Sequence, residues 1–263
     1  MLKQRVLTAV IALAVLAIVL FVVPSVVART MIVAVILAGA WEWGGFLFGD
    51  RSGGRLAYVA FIAALVGFVW MNLGDALWPD NLFKIALAWW LLALVWMLFF
   101  PTPIPAAITW VCGSLVLVPA WAALDVLYVQ SPALLVFALL IVWFADIGGY
   151  FVGKGFGRVK LAPAISPGKT WEGVLGGLSA VTVLAAVGSN FFDIGVAVLV
   201  PFCLAVTMLS IVGDLTVSMF KRAAGVKDSG YLFPGHGGVL DRIDSVSAGA
   251  PLFALALGWI GLS

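Results

Sequence analysis

The chain has 263 residues, of which 64% are hydrophobic and 10% are charged, with a formal net charge of +2. Soluble globular domains carry about 25% charged residues, so this composition excludes an ordinary soluble domain. Nucleic acid is not expected as a partner, because the basic residues are few and are not interleaved with aromatic residues in a polar domain. We predict an all-α, polytopic membrane protein.

Apolar stretches follow one another along the whole chain, and a helix that crosses a bilayer needs about 20 such residues. About nine spans are predicted, at Val6–Ala28, Met31–Gly49, Leu56–Gly74, Phe83–Phe100, Ala106–Val129, Pro132–Ala145, Gly173–Gly188, Gly195–Val212 and Val246–Leu262. With the N-terminus inside, only Arg29 and Lys84 of the 14 lysines and arginines lie outside. The positive-inside rule therefore predicts an inside N-terminus and an outside C-terminus.

Polar residues are distributed unevenly between two regions. Residues 1–142 are predicted to form a transmembrane scaffold that contacts lipid, and residues 143–263 a catalytic region with two inside loops. Glu42 is the exception in the scaffold, because it lies within the second span, between Trp41 and Trp43. Its carboxyl group must be neutral, paired or directed into a cavity. A structural ion pair and a functional role are both open for Glu42.

The first inside loop begins at Asp146 and is rich in glycine. Its glycines, together with Lys154 and Arg158, would let backbone amides and cations approach a phosphate. Gly148 and Gly149 are equally compatible with close helix packing, a common use of small residues in membranes.

A second segment of this loop reads Ser166-Pro-Gly-Lys-Thr, and it is not a P-loop, because Pro163 stands where that motif requires glycine. Lys169, Thr170 and Glu172 directly precede the seventh span, where they could contact an anion at a helix N-terminus.

Three aspartates flank the second inside loop. Asp214 lies where the eighth span ends, and Asp241 and Asp244 lie just before the ninth. Residues three apart share one face of a helix, so Asp241 and Asp244 are expected side by side, with Asp214 completing the cluster. Carboxylate oxygens suit Mg²⁺, which is commonly shared with substrate phosphates. The alternative is that Asp241 and Asp244 cap the positive end of a helix.

His236 is the only histidine and stands between glycines, in Gly-His-Gly-Gly. A turn that brings an imidazole and free backbone N–H groups to a phosphate is the favoured interpretation. The nearby cations would counter further negative charge, or would serve only as positive-inside anchors. These cations are Lys221, Arg222, Lys227 and Arg242.

The segment from Ser218 to Asp244 reads Ser-x-Phe-Lys-Arg-x4-Lys-Asp-x-Gly-x2-Phe-Pro-x-His-Gly-Gly-Val-x-Asp-Arg-Ile-Asp. It closely resembles the signature of the phosphatidate cytidylyltransferase family. The segment Ser166-Pro-Gly-Lys-Thr-Trp-Glu-Gly also resembles the family, with Gly168 where a further lysine is frequent. The motifs cover about the last 120 residues, and the first half matches only as a hydrophobic region with several spans.

This resemblance implies that CTP and phosphatidic acid react to give CDP-diacylglycerol and pyrophosphate at the cytoplasmic face of a bacterial inner membrane. Asp214, Asp241 and Asp244 would bind Mg²⁺, with a second cation as an alternative, and Lys221 and Arg222 would join them as catalytic residues. Further residues would bind or orient the substrates: Ser166, Lys169, Thr170, Ser218, Lys227, Asp228, His236, Gly237, Gly238 and Arg242.

Two other functions are open. A CTP-dependent polyprenol or lipid kinase would share the cations but transfer the γ-phosphate. An ion or solute transporter would line its path with Glu42, Asp214 and Asp241. The oligomeric state is also open, with a homodimer as one alternative.

Overall fold

The computed structural model describes residues 13–74, 77–230 and 237–261, and these are mostly helical. Residues 13–21 are the described part of α1. The other helices are α2 (Ser25–Phe48), α3 (Ser52–Asn72), α4 (Leu77–Met97), α5 (Ala106–Gln130), α6 (Pro132–Phe156), α7 (Trp171–Phe192), α8 (Val196–Ala223) and α9 (Leu240–Ala256). An antiparallel hairpin of β1 (Lys160–Ala162) and β2 (Ser166–Thr170) joins α6 to α7, and a 3-10 turn, Leu257–Trp259, follows α9.

Within the described residues, seven helices, α2 to α8, are long and apolar enough to cross a membrane. Their outer faces carry exposed apolar side chains such as Met71, Leu92 and Val187, which a bilayer would solvate. The predicted all-α, polytopic membrane protein is confirmed. The helix α9 has 17 residues, and the count of nine spans and the orientation stay predictions. The division at residue 142 also stays a prediction.

Several predicted boundaries were wrong. Residues 22–24 interrupt the first predicted span, and Pro24 directly precedes α2, because proline lacks the N–H that continues a helix. The start of that span lies outside the described residues. Further along the chain, α6 continues to Phe156 and α8 to Ala223. Much of both predicted inside loops is therefore helical, because backbone hydrogen bonding continues beyond the last apolar residues. The hairpin was not predicted.

Contacts between helix ends show which ends share a side of the bundle. Arg29, in the first turns of α2, pairs with Asp125 in the second half of α5 at 2.7 Å. At the other end, the Arg222 guanidinium donates to the Ile165 carbonyl at 3.1 Å. We define the motif end as the end of the bundle where α2, α6 and α8 finish and α7 and α9 begin. The predicted up-and-down alternation agrees with these contacts.

Glycines allow α6 and α7 to pack very closely. A Cβ atom added at Gly148 would lie 2.6 Å from the Gly176 carbonyl oxygen, and one at Gly177 would lie 2.7 Å from the Ala145 carbonyl oxygen. Neither position can carry a side chain without moving a backbone. The helix-packing alternative is therefore confirmed for Gly148. This close approach places the motif ends of the two helices beside α8.

Candidate active site

Three elements bring the predicted site residues together at the motif end. Asp214, Ser218 and Lys221 lie on α8 at spacings of four and three, which put them on one face of the helix. Asp241 and Asp244 lie in the first turns of α9, as their spacing predicted. The hairpin strand β2 supplies a further lysine. Paired residues 20 positions apart (Lys221 and Asp241) and 45 positions apart (Lys169 and Asp214) thus meet because α7, α8 and α9 alternate in direction.

Lys221 and Asp241 form a buried ion pair. The Lys221 ammonium lies 2.7 Å from Asp241 Oδ1, and the two side chains are 9% and 12% exposed. The other oxygen, Oδ2, accepts hydrogen bonds from the backbone N–H groups of Ser229 at 3.0 Å and Gly238 at 2.9 Å. Both oxygens of Asp241 therefore have donors, as a buried carboxylate requires.

Lys169 and Asp214 form a second ion pair, between β2 and α8. The Lys169 ammonium lies 2.5 Å from Asp214 Oδ2, and the Ser218 hydroxyl donates to Asp214 Oδ1 at 3.2 Å. About a quarter of each charged side chain is exposed, 28% for the lysine and 23% for the aspartate. This pair is thus more accessible to a soluble ligand than the Lys221–Asp241 pair.

Asp214 is close enough to Asp146 and Asp244 for its negative charge to act on both. Asp244 is buried, and its Oδ1 accepts a hydrogen bond from the Ser245 N–H at 2.8 Å. Asp146 was not predicted as a site residue, because the sixth span was predicted to end at Ala145, which left the aspartate in a loop. The sequence contained a signal for it, since an acidic residue directly after a long apolar run is a candidate functional residue, as Glu42 is within its span.

The donor chemistry of this cluster fits Mg²⁺. That ion keeps several waters and is usually held by one or two carboxylates plus substrate phosphates. Asp214 and Asp244 can supply the two carboxylates. In the part of the chain that the structure describes, no three acidic, histidine or cysteine side chains are placed to hold a metal ion. Asp241 interacts with Lys221 instead, so its role as a third ligand stays a prediction.

A cavity of about 420 Å³ lies between α6 and α7, beside β2. Ile211, one turn before Asp214, contributes to its wall, so the cavity adjoins the ion pairs. Its lining is mostly apolar, with cations and hydroxyl groups at a few positions. The polar side chains that line it are Asp146, Tyr150, Lys154, Lys169 and Thr170.

Two predicted substrate-contacting residues make structural contacts. The Thr170 hydroxyl accepts a hydrogen bond from the Gly173 N–H at 3.1 Å, and so caps the N-terminus of α7. The Arg222 guanidinium donates to the carbonyl oxygens of Ile165 at 3.1 Å and Val226 at 3.2 Å. Arg222 therefore ties the hairpin to the end of α8, and direct substrate contact by either side chain stays a prediction.

The backbone conformation and close packing explain why Gly237 and Gly238 are glycines. Gly237 has a φ of 79°, which favours glycine, and a Cβ atom there would lie 2.7 Å from Asp241 Oδ2. At Gly238 a Cβ atom would collide with Glu42 and Ser229. His236 lies outside the described residues.

Four predicted residues remain, namely Ser166, Lys227, Asp228 and Arg242. Ser166 begins β2 and is half-buried, whereas Lys227, Asp228 and Arg242 are exposed. The charge of Arg242 acts on Asp146, and Lys227 and Asp228 lie in the loop after α8. Substrate contact by these four residues stays a prediction.

Glu42 is not part of an ion pair among the described residues. Its carboxylate instead accepts hydrogen bonds from the Ser229 hydroxyl and from the backbone N–H groups of Val239 and Leu240. An ion pair and a functional role were both predicted as alternatives for Glu42, and this contact with the start of α9 was not predicted.

Known proteins resemble this chain over nearly its full length. Residues 3–260 match the Cytidylyltransferase family. A phosphatidate cytidylyltransferase of Pseudomonas aeruginosa is 43% identical over 98% of this chain and 99% of its own. One of Haemophilus influenzae is 37% identical over 97% and 98%, and one of Staphylococcus aureus (strain COL) is 46% identical over 47% and 48%. With its paired lysines and aspartates at one end of a membrane bundle, this chain belongs to the cytidylyltransferase family.

Proposed function

We propose that this chain transfers the cytidylyl group of CTP to phosphatidic acid, giving CDP-diacylglycerol and pyrophosphate. The observation that carries the proposal is the pairing of Lys169 with Asp214 and of Lys221 with Asp241 at the motif end of a chain of this family. The near-full-length relatives bear the name phosphatidate cytidylyltransferase, which supports the choice of lipid substrate.

The reaction demands positioning more than acid–base chemistry. An oxygen of the lipid phosphate attacks the α-phosphorus of CTP, and the bond to the bridging oxygen breaks, so that pyrophosphate leaves with the electron pair. A phosphate monoester is already ionised near neutral pH, because its second pKa is about 6. The chain therefore needs no general base, and must hold two polyanions in line and stabilise the developing charge.

Lys169 and Lys221 are the cations best placed for this task. Each ammonium group is held by one aspartate, and substrate phosphates would compete with that aspartate for it. Lys169 is the more exposed of the two, at 28% of its side chain against 9% for Lys221. We therefore assign Lys169 to the first contact with an incoming phosphate and Lys221 to the inner part of the site.

Asp214 and Asp244 are proposed to hold Mg²⁺, with Asp241 as a further ligand. When bound, the ion would neutralise charge on the leaving pyrophosphate. The residues that surround it act by placement: Ser218 orients Asp214 through its hydrogen bond, and the Ser245 N–H orients Asp244.

The cavity between α6 and α7 supports entry of a lipid headgroup. Lys154 and Lys169 line it together with the Tyr150 side chain. The neighbouring side chains of Ile147 and Phe151 are exposed, which suits contact with acyl chains. A headgroup phosphate entering here would thus meet cations while the lipid tails stay in an apolar environment.

The motif end is proposed to face the cytoplasm across a bacterial inner membrane. CTP is a soluble nucleotide and must reach Lys169 and Lys221 from water. The arginines and lysines are concentrated at this end, in accord with the positive-inside rule. The membrane anchors the reaction where the lipid resides. A homodimer stays a prediction.

The decisive experiment uses the purified protein, phosphatidic acid, Mg²⁺ and CTP labelled at either the α- or the γ-phosphate. Lipid that gains only the α-label supports the proposed function, with omission of phosphatidic acid as the control. Lipid that gains the γ-label would identify a lipid kinase. The absence of any product from CTP, combined with ion or solute flux in proteoliposomes, would identify a transporter.

A further inference from the structure

Glu42 is a buried carboxylate that the proposed chemistry does not use. It lies on α2, in the scaffold region, and is 5% exposed. It accepts a hydrogen bond from the hydroxyl of Ser229, which lies 187 residues further along the chain. A buried charge so far in sequence from its partners must be compensated by tertiary contacts.

Those contacts come from Ser229, in the segment that joins α8 to α9, and from the beginning of α9. The Ser229 hydroxyl donates to Glu42 Oε2 at 2.8 Å. At the beginning of α9, the Val239 N–H donates to Oε1 at 2.9 Å and the Leu240 N–H donates to Oε2 at 2.8 Å. A single carboxylate thus binds both this segment and the start of α9.

The backbone approaches the Glu42 side chain very closely at two positions, both of which are glycine. A Cβ atom at Gly230 or at Gly238 would collide with the Glu42 carboxylate. The backbone next to Ser229 and next to Val239 is therefore packed against this side chain as well as hydrogen-bonded to it.

Asp241 also binds these two stretches of backbone. Its Oδ2 accepts from the N–H groups of Ser229 and Gly238, while Glu42 accepts from the Ser229 hydroxyl and from the Val239 N–H. Ser229 thereby connects the two carboxylates through its own donors. Any shift of the segment away from Glu42 would also change the donors around Asp241, and with them its pairing with Lys221.

We propose that Glu42 is a positioning residue, which fixes the beginning of α9 and thereby holds Asp241 in register with Lys221 in the active site. This rests on the proposed function for its catalytic consequence. The N–H groups at a helix N-terminus favour an anion, so Glu42 also contributes to stability. A role in stability alone would leave the folded enzyme as active as before, and a positioning role would not.

The test compares wild type with Glu42→Gln, which keeps the shape but places an amide N–H₂ against backbone donors. Glu42→Asp, which keeps the charge, is the conservative variant. The control is Asp125→Asn, since Asp125 is 2% exposed and pairs with Arg29 at the other end of the bundle. Thermal unfolding in detergent is measured for each protein. The kinetic readouts are kcat, the KM for CTP and the Mg²⁺ concentration that gives half-maximal rate.

With rates normalised to the amount of folded protein, we expect Glu42→Gln to lower kcat or raise the Mg²⁺ requirement by about 10- to 100-fold. This is the usual effect of changing a residue that orients catalytic or metal-binding side chains. The KM for CTP should change much less, and Glu42→Asp should recover part of the activity. Asp125→Asn should lower the unfolding temperature while leaving the normalised kcat and the Mg²⁺ requirement unchanged. Normalised activity of Glu42→Gln equal to wild type would overturn the proposal.

Hydrogen exchange gives a readout that does not need activity. The amide hydrogens of Val239 and Leu240 should exchange faster in Glu42→Gln than in wild type. In Asp125→Asn their exchange rates should equal those of wild type. Unaltered exchange in Glu42→Gln would also contradict the proposal. If wild type fails to label lipid, the proposed function is wrong, but the exchange result still decides whether Glu42 holds α9.

Ser229→Ala serves where Glu42→Gln does not fold. It removes only the hydroxyl that joins Glu42 to the segment and retains the Ser229 N–H that binds Asp241. We expect kcat and amide exchange to change in the same direction as in Glu42→Gln, but by a smaller amount. A folded Ser229→Ala protein with wild-type values of both would count against the proposal.

Discussion

The Lys221 ammonium lies 2.7 Å from Asp241 Oδ1, and this ion pair joins the end of α8 to the beginning of α9. Both side chains are nearly buried, so each charge depends on the other for compensation. Breaking a buried pair by removing one partner is costly, because the remaining charge is left without its counterion. The pair is therefore expected to support both the fold and the reaction.

Lys221→Met is predicted to destabilise the protein by up to about 3–5 kcal/mol, since Asp241 then lacks a cation. The double variant Lys221→Met with Asp241→Asn should regain much of this stability, because asparagine is neutral and can still accept from the Ser229 and Gly238 N–H groups. It should nevertheless remain inactive, since the cation is gone. Thermal unfolding and transfer of α-label to lipid measure the two effects, and an active double variant would refute the catalytic role of Lys221.

Asp214→Asn and Asp244→Asn are predicted to abolish turnover that depends on Mg²⁺ while the protein stays folded in detergent. Each change removes a negative charge but keeps an oxygen that can accept the existing hydrogen bond. Asp193→Asn is the matched control, since this exposed residue has a φ of 54°, a conformation that asparagine tolerates. Titration of the rate with Mg²⁺ provides the measurement. Wild-type rates in both site variants would eliminate the metal assignment.

Lys169→Met is predicted to raise the apparent KM for CTP or phosphatidic acid by about tenfold, the equivalent of about 1.4 kcal/mol of lost phosphate binding. Its ion pair is partly exposed, so stability should change little. Lys84→Met is the control, because Lys84 pairs with Asp80 near the start of α4. Steady-state kinetics with each substrate varied in turn would show the difference. An unchanged KM for both substrates would leave Lys169 as a structural partner of Asp214 only.

Gly148→Ala is predicted to destabilise the α6–α7 packing by about 1–3 kcal/mol, the usual range for overpacking. The added Cβ would lie 2.6 Å from the Gly176 carbonyl oxygen, a contact that forces the helices apart. Gly155→Ala faces open space near the end of α6 and should be neutral or slightly stabilising. Unfolding temperatures of the two variants test this prediction, and similar values would indicate that α6 and α7 can separate easily.

Some of the tertiary arrangement followed from local patterns. The spacing of Asp241 and Asp244 predicted that they share a helix, and the helix α9 confirms it. The glycine at 148 was compatible with phosphate approach and with close packing, and only the position of the Gly176 carbonyl on α7 decided for packing. Asp146 was overlooked because hydropathy cannot say whether a helix stops at the last apolar residue or continues past it.

The sequence by itself determined the membrane class, the family and the set of polar side chains at the motif end. Composition is a property of the whole chain, and a motif with fixed spacing is a property of one short segment, so neither requires coordinates. Only the tertiary structure decided that Lys221 pairs with Asp241, that Lys169 pairs with Asp214, and that Glu42 holds the start of α9. The physical reason is that these contacts join different elements, and their energies depend on how helix direction and packing bring distant charges together.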